Sequence, residues 1–382
     1  MGESELAEEK VVVIEYILIV EVDIMRLFTV GPVQMRKAVK MAGIDIPYFR
    51  TKEFSSLMLD TDKLMKKFAG TAESSKTIYL TASGTAAMEA TVMNCFDESD
   101  NLLIVNGGTF GQRFVDIARI HRIPYKEIVL KTGEVLAEEH FKSFEDVPFT
   151  GLLVNIDETS TGQLYDIKLL SDFCTRKGMY LIVDAISSFL CDSYHMDKFH
   201  IDATIVSSQK GACIAPGLSM VLLNERIVAE RVKKAKVSSM YFDFKEYLNN
   251  FTRGQTPFTP AVGICIQLNK ALHMIEEEGL DRHLEHIAEV AEDFRRRVTV
   301  LPVNVPKYPL SNAITPVYFD EPIAYRVFEI LKDKYDIMVN PTGGSLHDTV
   351  IRIAHIGDTD ISDNTLLIEK MRAAIAECTS CN

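Results

Sequence analysis

Four stretches of this sequence carry residue types able to do chemistry. In SSQKGACIAPGLS (207–219), Lys210 follows an apolar run and sits in a loop of small residues. A lysine so placed is either solvated on the loop or held inside, where a desolvated amine forms an imine with a carbonyl compound. Gln209 beside it can bond a ligand oxygen or the backbone. Asp184 closes the apolar run YLIVD. A carboxylate there either faces a cation, such as a protonated ring nitrogen, or caps the following helix. TASGTAAMEA (81–90) offers Ser83, Gly84 and Thr85 at a helix start, a geometry that receives a phosphate and equally serves as an ordinary N-cap. Arg352, within IRIAHIGD (351–358), wants an anion: a substrate carboxylate or an internal ion-pair partner. The Gly-rich loop before it, NPTGGSLHD (340–348), can carry a further substrate contact.

Such residues need elements to hold them. Short apolar runs at 77–80, 102–105, 152–156, 180–184, 203–207 and 218–223 read as strands, with helical patterns at 85–95, 110–121 and 167–178 between several of them. Continuous rather than alternating apolarity predicts strands buried on both faces, hence a mostly parallel sheet covered by helices. Ligands of such sheets bind beyond the carboxyl ends of the strands, where Asp184 and Lys210 stand. One long helix is expected at 261–298, followed by a smaller α+β unit with elements near 312–319, 322–334, 349–354 and 361–377. The division expected is an N-terminal extension of unknown role at 1–25, a large domain at 26–265 and a small domain at 266–382.

The 382 residues are 47% hydrophobic and 25% charged, as in an ordinary globular enzyme. A net charge of -13 argues against nucleic acid as a partner. The apolar run at 11–20 is too short for a bilayer and is flanked by Glu21 and Asp23, unlike a signal peptide. Seven cysteines, an odd number scattered through apolar stretches, suit free thiols in a reducing cytoplasm. Cys378 and Cys381 form a lone CxxC, read as a frayed tail rather than a metal site, and no metal is expected. No GxGxxG follows an early strand, which argues against a nicotinamide dehydrogenase.

Taken together and in order, LFTVGP, SGTAAMEA, NGGTFGQRF, ETSTG, VDAISS, SSQKG, TPFTPAV and RIAHIG resemble the class V aminotransferases of pyridoxal-phosphate fold type I, from Leu27 to about Met371. The resemblance implies an α/β fold with a large cofactor-binding domain and pyridoxal 5'-phosphate as cofactor. It assigns Lys210 as the Schiff-base lysine and general base, and Asp184 as the partner of the pyridine nitrogen. Phe110 stacks on the ring, Ile186 packs beneath it, and Thr159 and Gln209 lie at its edges. Ser83, Gly84 and Thr85 bind the phosphate. Thr259, with Gln255 and Thr256 as companions, reaches a phosphate across a homodimer interface. Arg352 and Gly31 fall on the substrate side. The expected activity transfers an amino group from alanine, serine or 2-aminoethylphosphonate to pyruvate or glyoxylate. Arg50 either adds a second positive charge to the site or pairs with Glu53 at the surface. The sequence departs from the family at Val30 and Ala215, often proline, and at IAH for IGH. The alternative is a fold-type-I lyase or cysteine desulfurase. Those enzymes commonly stack a histidine and use a mobile cysteine, whereas Phe110 and the small-residue turn around Cys213 stand here.

Overall fold

A computed structural model describes residues 25–380; residues 1–24 of the expected extension and Cys381 lie outside the described residues. Among the described residues the larger sheet has seven strands: β2 (Lys76–Leu80), β3 (Leu102–Asn106), β4 (Tyr125–Val129), β5 (Gly151–Asn155), β8 (Tyr180–Asp184), β9 (Ala203–Ser207) and β10 (Ser219–Leu223). Their order is β2-β10-β9-β8-β5-β3-β4, with β10 alone running antiparallel to its neighbours. A small hairpin, β6 (Asp157–Glu158) with β7 (Gln163–Leu164), follows β5.

Alternation across the pleat builds two cores from single apolar runs. Leu103, Val105, Leu152, Val154, Leu181 and Val183 face one layer; Leu102, Ile104, Leu153 and Ile182 face the other. The first layer is closed by α1 (Lys52–Ala69), α4 (Ile167–Lys177) and α6 (Val262–Glu278). The second is closed by α2 (Gly84–Cys95), α3 (Thr109–Ile120) and α5 (Phe244–Phe251). Strand β4, YKEIV, escaped the sequence reading because an edge strand is half solvated and lacks a continuous apolar run.

The smaller sheet is ordered β1-β13-β14-β12-β11, from β1 (Arg26–Phe28), β11 (Val303–Asn304), β12 (Ile314–Phe319), β13 (Ile337–Pro341) and β14 (Val350–Ala354). Helices α7 (Leu280–Val298), α8 (Ala324–Tyr335) and α9 (Ile361–Ser380) cover it. Four expectations change here. Residues 26–28 were assigned to the large domain but pair in parallel with β13, and Phe28 is buried in the small core; three residues carry too little periodicity to reveal this. The expected single helix at 261–298 is two helices, broken at Gly279, whose φ of +90° leaves the helical region. Helix α6 packs into the large core and α7 into the small one, so the core changes at Gly279 and the expected boundary at 265 falls inside α6. Cys378, expected in a frayed tail, is buried in α9. No helix of the described residues is long and apolar enough to cross a membrane.

Leu153, fully buried in central strand β5, reports on the sheet's integrity. Leu153→Ala is expected to destabilise the protein by about 2–5 kcal/mol, seen as a lower denaturant midpoint.

Candidate active site

Strands β5, β8 and β9 lie side by side in parallel, with Asn155 opposite Asp184 and Asp184 opposite Ile205. Their carboxyl ends therefore deliver Asp157–Thr159, Asp184–Ile186 and Gln209–Lys210 to one place. Lys210 is not solvated on its loop. It lies inside, and burial lowers its ammonium to about 8, against opposing charge from Asp157 and Asp184. Gly31 presses on its stem: a Cβ there would lie 2.8 Å from Lys210 Cδ, so a side chain at 31 would displace the lysine. The Gln209 Oε1 accepts a hydrogen bond from Ser207 Oγ at 2.7 Å.

Asp184 is buried and accepts the Ile186 N–H at 2.9 Å. A turn follows it, so it caps no helix. Desolvation raises its carboxyl to about 7 even with Arg113 and Lys210 nearby. Gly84 makes room for Ile186, since a Cβ at 84 would approach Ile186 Cδ1 to 2.5 Å. Ser83 is the N-cap of α2, yet its hydroxyl closes no cap hydrogen bond and stands exposed. Thr85 Oγ1 accepts from Arg113 Nη1 at 2.8 Å.

Sequence reasoning missed what holds Phe110. The fully buried Glu158 carboxylate accepts the N–H groups of Phe110 and Gly111, at 3.2 and 3.0 Å, capping the first turn of α3. Asn155 Nδ2 at 3.0 Å and the Ser160 hydroxyl also donate to it. The Gly107-Gly108 pair is needed for this approach: a Cβ at 108 would stand 2.6 Å from Glu158 Cδ. Arg113 lies over the Phe110 ring, its Cζ 4.9 Å from the centroid. Both missed residues stood inside quoted motifs, Glu158 in ETSTG and Arg113 in NGGTFGQRF. An acid ending an apolar strand was the available signal.

Arg352, on β14, reaches across from the small sheet. Its Nη1 donates to the Thr159 carbonyl at 3.0 Å and its Nη2 to the Pro341 carbonyl at 2.9 Å, while buried Nε has no partner. Among the described residues it closes no ion pair within 4.0 Å, although the charges of Glu158 and Asp157 favour its charged form. Two carbonyls orient the guanidinium without neutralising it, as an anion site requires.

A family model, aminotransferase class-V, matches residues 47–354 of this chain. The chain belongs to the class-V aminotransferases. An uncharacterized aminotransferase of Methanocaldococcus jannaschii is 30% identical over 81% of each chain. The L-aspartate–glyoxylate aminotransferase of Paracoccus denitrificans is 25% identical, covering 85% of this chain and 84% of the relative. The crystal structure of an alanine–glyoxylate aminotransferase from Nostoc sp. superposes with a TM-score of 0.87 at 25% identity, covering 94% of this chain and 97% of that one. The fold is fold type I.

Aminotransferases of this class use pyridoxal phosphate, and the residues here fit it. The buried Asp184 suits a protonated ring nitrogen, the α2 N-terminus with its uncommitted Ser83 hydroxyl suits a phosphate, and the desolvated Lys210 suits an imine. The 255–259 segment of this aminotransferase fits less directly. Gln255 spends its amide on the Phe49 carbonyl and Ser55 Oγ, and Thr256 its hydroxyl on the Phe258 carbonyl. Thr259 is exposed. Arg50 departs from the expected pairing with Glu53. It bonds Gln255 Oε1 and the Thr256 and Pro257 carbonyls and lies over Phe49, clamping this segment rather than pairing with Glu53.

Two outcomes follow from these contacts. Glu158→Ala leaves the Phe110 and Gly111 amides without their acceptor and should destabilise the protein by about 1–3 kcal/mol in denaturant titrations. The raised carboxyl of Asp184 favours the native state while protonated. Stability of cofactor-free protein should therefore be full below pH about 4 for this group and be lost as pH climbs through about 7. Asp184→Asn should flatten that fall in a series of melting temperatures.

Proposed function

We propose that the chain moves an amino group from a small amino acid of the alanine, serine or 2-aminoethylphosphonate type to a small 2-oxo acid, pyruvate or glyoxylate, with pyridoxal 5'-phosphate on Lys210. The observation that carries this reading is the pairing of a desolvated Lys210 with Arg352, a half-buried cation hydrogen-bonded to carbonyl oxygens. Arg352 binds the substrate carboxylate, and Gly31 leaves Lys210 room to turn. The cofactor supplies an electron sink when bound, and Asp184 keeps its ring nitrogen protonated. Lys210 Nζ takes the substrate's Cα proton as general base. Ser83, Gly84 and Thr85 hold the phosphate; Ile186 and Phe110 lie against the ring faces, with Thr159 and Gln209 at its edges. Gln255 and Thr256 serve by shaping the loop that presents Thr259 to the second subunit.

A homodimer is supported by a cluster of exposed apolar side chains, Met41, Ile44, Ile46 and Tyr48, just before the Arg50 clamp on that loop. Cytoplasmic location is supported by the free thiols of Cys95, Cys174, Cys191, Cys213 and Cys265. The cysteine desulfurase alternative has less support. Burial pushes the Cys213 thiol up to about 12, and its backbone is locked in a turn back to the Lys210 carbonyl.

The test is the visible spectrum of the purified protein with L-alanine, L-serine, L-aspartate and 2-aminoethylphosphonate added singly, without acceptor. One donor is expected to convert the band near that of a lysine-bound cofactor into that of the aminated cofactor. Lys210→Ala should lower turnover by on the order of 1,000-fold or more; turnover near wild type would overturn the reading.

A further inference from the structure

Asp157 takes no part in the reaction as described so far. It precedes Glu158 in β6, and successive strand residues face opposite ways. Glu158 turns to α3 and is saturated with donors. Asp157 turns away from it, is 3% exposed, and has both carboxylate oxygens buried without a hydrogen-bond partner. Its backbone is fixed, the carbonyl accepting from Ser187 Oγ and Asn155 Nδ2, each at 3.3 Å. A buried carboxylate with no donor is costly, and native structures keep few.

The strand order sets this carboxylate beside the 185–187 turn that follows β8, and the Lys210 loop follows the next strand over, β9. The ionisable groups facing Asp157 are Asp192, Glu158, Lys210, Arg352, Arg295, Tyr165 and Cys191, and those facing Lys210 are Asp157, Arg352, Asp184 and Cys191. Most of these are already committed. Asp192 accepts from Ser311 Oγ at 2.5 Å and the Asn312 N–H at 2.8 Å. Arg352 is held by carbonyls, Asp184 by the Ile186 N–H, and the Cys191 thiol is kept neutral by burial. Asp157 is the one of these acids whose carboxylate oxygens close no hydrogen bond within 3.5 Å, although the Ser187 hydroxyl lies near enough to favour its charged form.

We propose that Asp157 is a positioning residue for Lys210, taking a hydrogen bond from its Nζ whenever that amine is not bonded to the cofactor. The inference rests on the reading of Lys210 as the cofactor-binding lysine. During proton transfer the Cα–H bond breaks, its electron pair stays with carbon, and an N–H bond forms at Nζ. The resulting ammonium is buried, and the Asp157 carboxylate offsets its charge and keeps it turned toward the substrate until the proton leaves. Burial drives the two groups toward each other, Asp157 up to about 8 and Lys210 down to about 8, so they titrate as a pair.

Cofactor-free protein provides a readout independent of turnover: the pH dependence of Lys210 acetylation by acetic anhydride, followed by peptide mass spectrometry, with exposed Lys168 as internal reference. Asp157→Asn cannot balance the ammonium, so the labelling midpoint of Lys210 should fall by about one pH unit while that of Lys168 stays put. Asp157→Glu should restore most of the shift. Asp157→Ser serves in place of the amide if Asp157→Asn does not fold. Midpoints equal to wild type in both neutral variants overturn the proposal. Adding pyridoxal phosphate to wild type separates the two ideas. A visible band with unmoved labelling sinks only the role of Asp157, whereas no band sinks the reading of Lys210.

Discussion

The constraint on which this protein turns is the burial of ionisable groups at the ends of three adjacent parallel strands. Strands β5, β8 and β9 are apolar along their length because both faces are covered, so polar chemistry is confined to their termini. There the surroundings are dry, and each charge must be answered by another group or lose its ionisation. Asp184 and Asp157 move up, and Lys210 moves down. A lysine near neutrality is what imine chemistry requires, and here it arises from desolvation, with nearby carboxylates opposing it.

Around that centre the protein uses fixed polar groups to hold apolar ones. The Glu158 carboxylate ties the first turn of α3 to the end of β5 and so fixes the place of Phe110. Arg50 acts similarly on the loop carrying Thr259. Both devices depend on hydrogen bonds to backbone groups, which fix the geometry of the segments they hold.

Much of this was legible in the sequence. Six of the large sheet's strands and the parallel layering follow from unbroken apolar runs, and Lys210, Asp184 and Arg352 stand out as candidates within or beside such runs. Other features left no such trace. Strand β4 alternates with solvent, β1 is three residues long, and the break at Gly279 is a single backbone angle inside an otherwise helical pattern. Gln255 and Arg50 name groups able to bind a ligand, but only the fold shows that they bind each other. The orphaned oxygens of Asp157 are a property of three-dimensional neighbourhood, invisible in the string NIDETSTG.

The path of the chain near its beginning has a mechanical meaning. After β1 joins the small sheet, the Val30 N–H is held by Asn340 Oδ1 at 2.7 Å and the Gln34 carbonyl by the Asp358 N–H at 2.8 Å. Gly31, between these anchors, therefore travels with the small domain although it abuts a lysine of the large one. Arg352 is mounted on the same sheet. The place of the Arg352 guanidinium and the clearance around the lysine's stem are thus two ends of one lever: a tilt of the small sheet alters both at once.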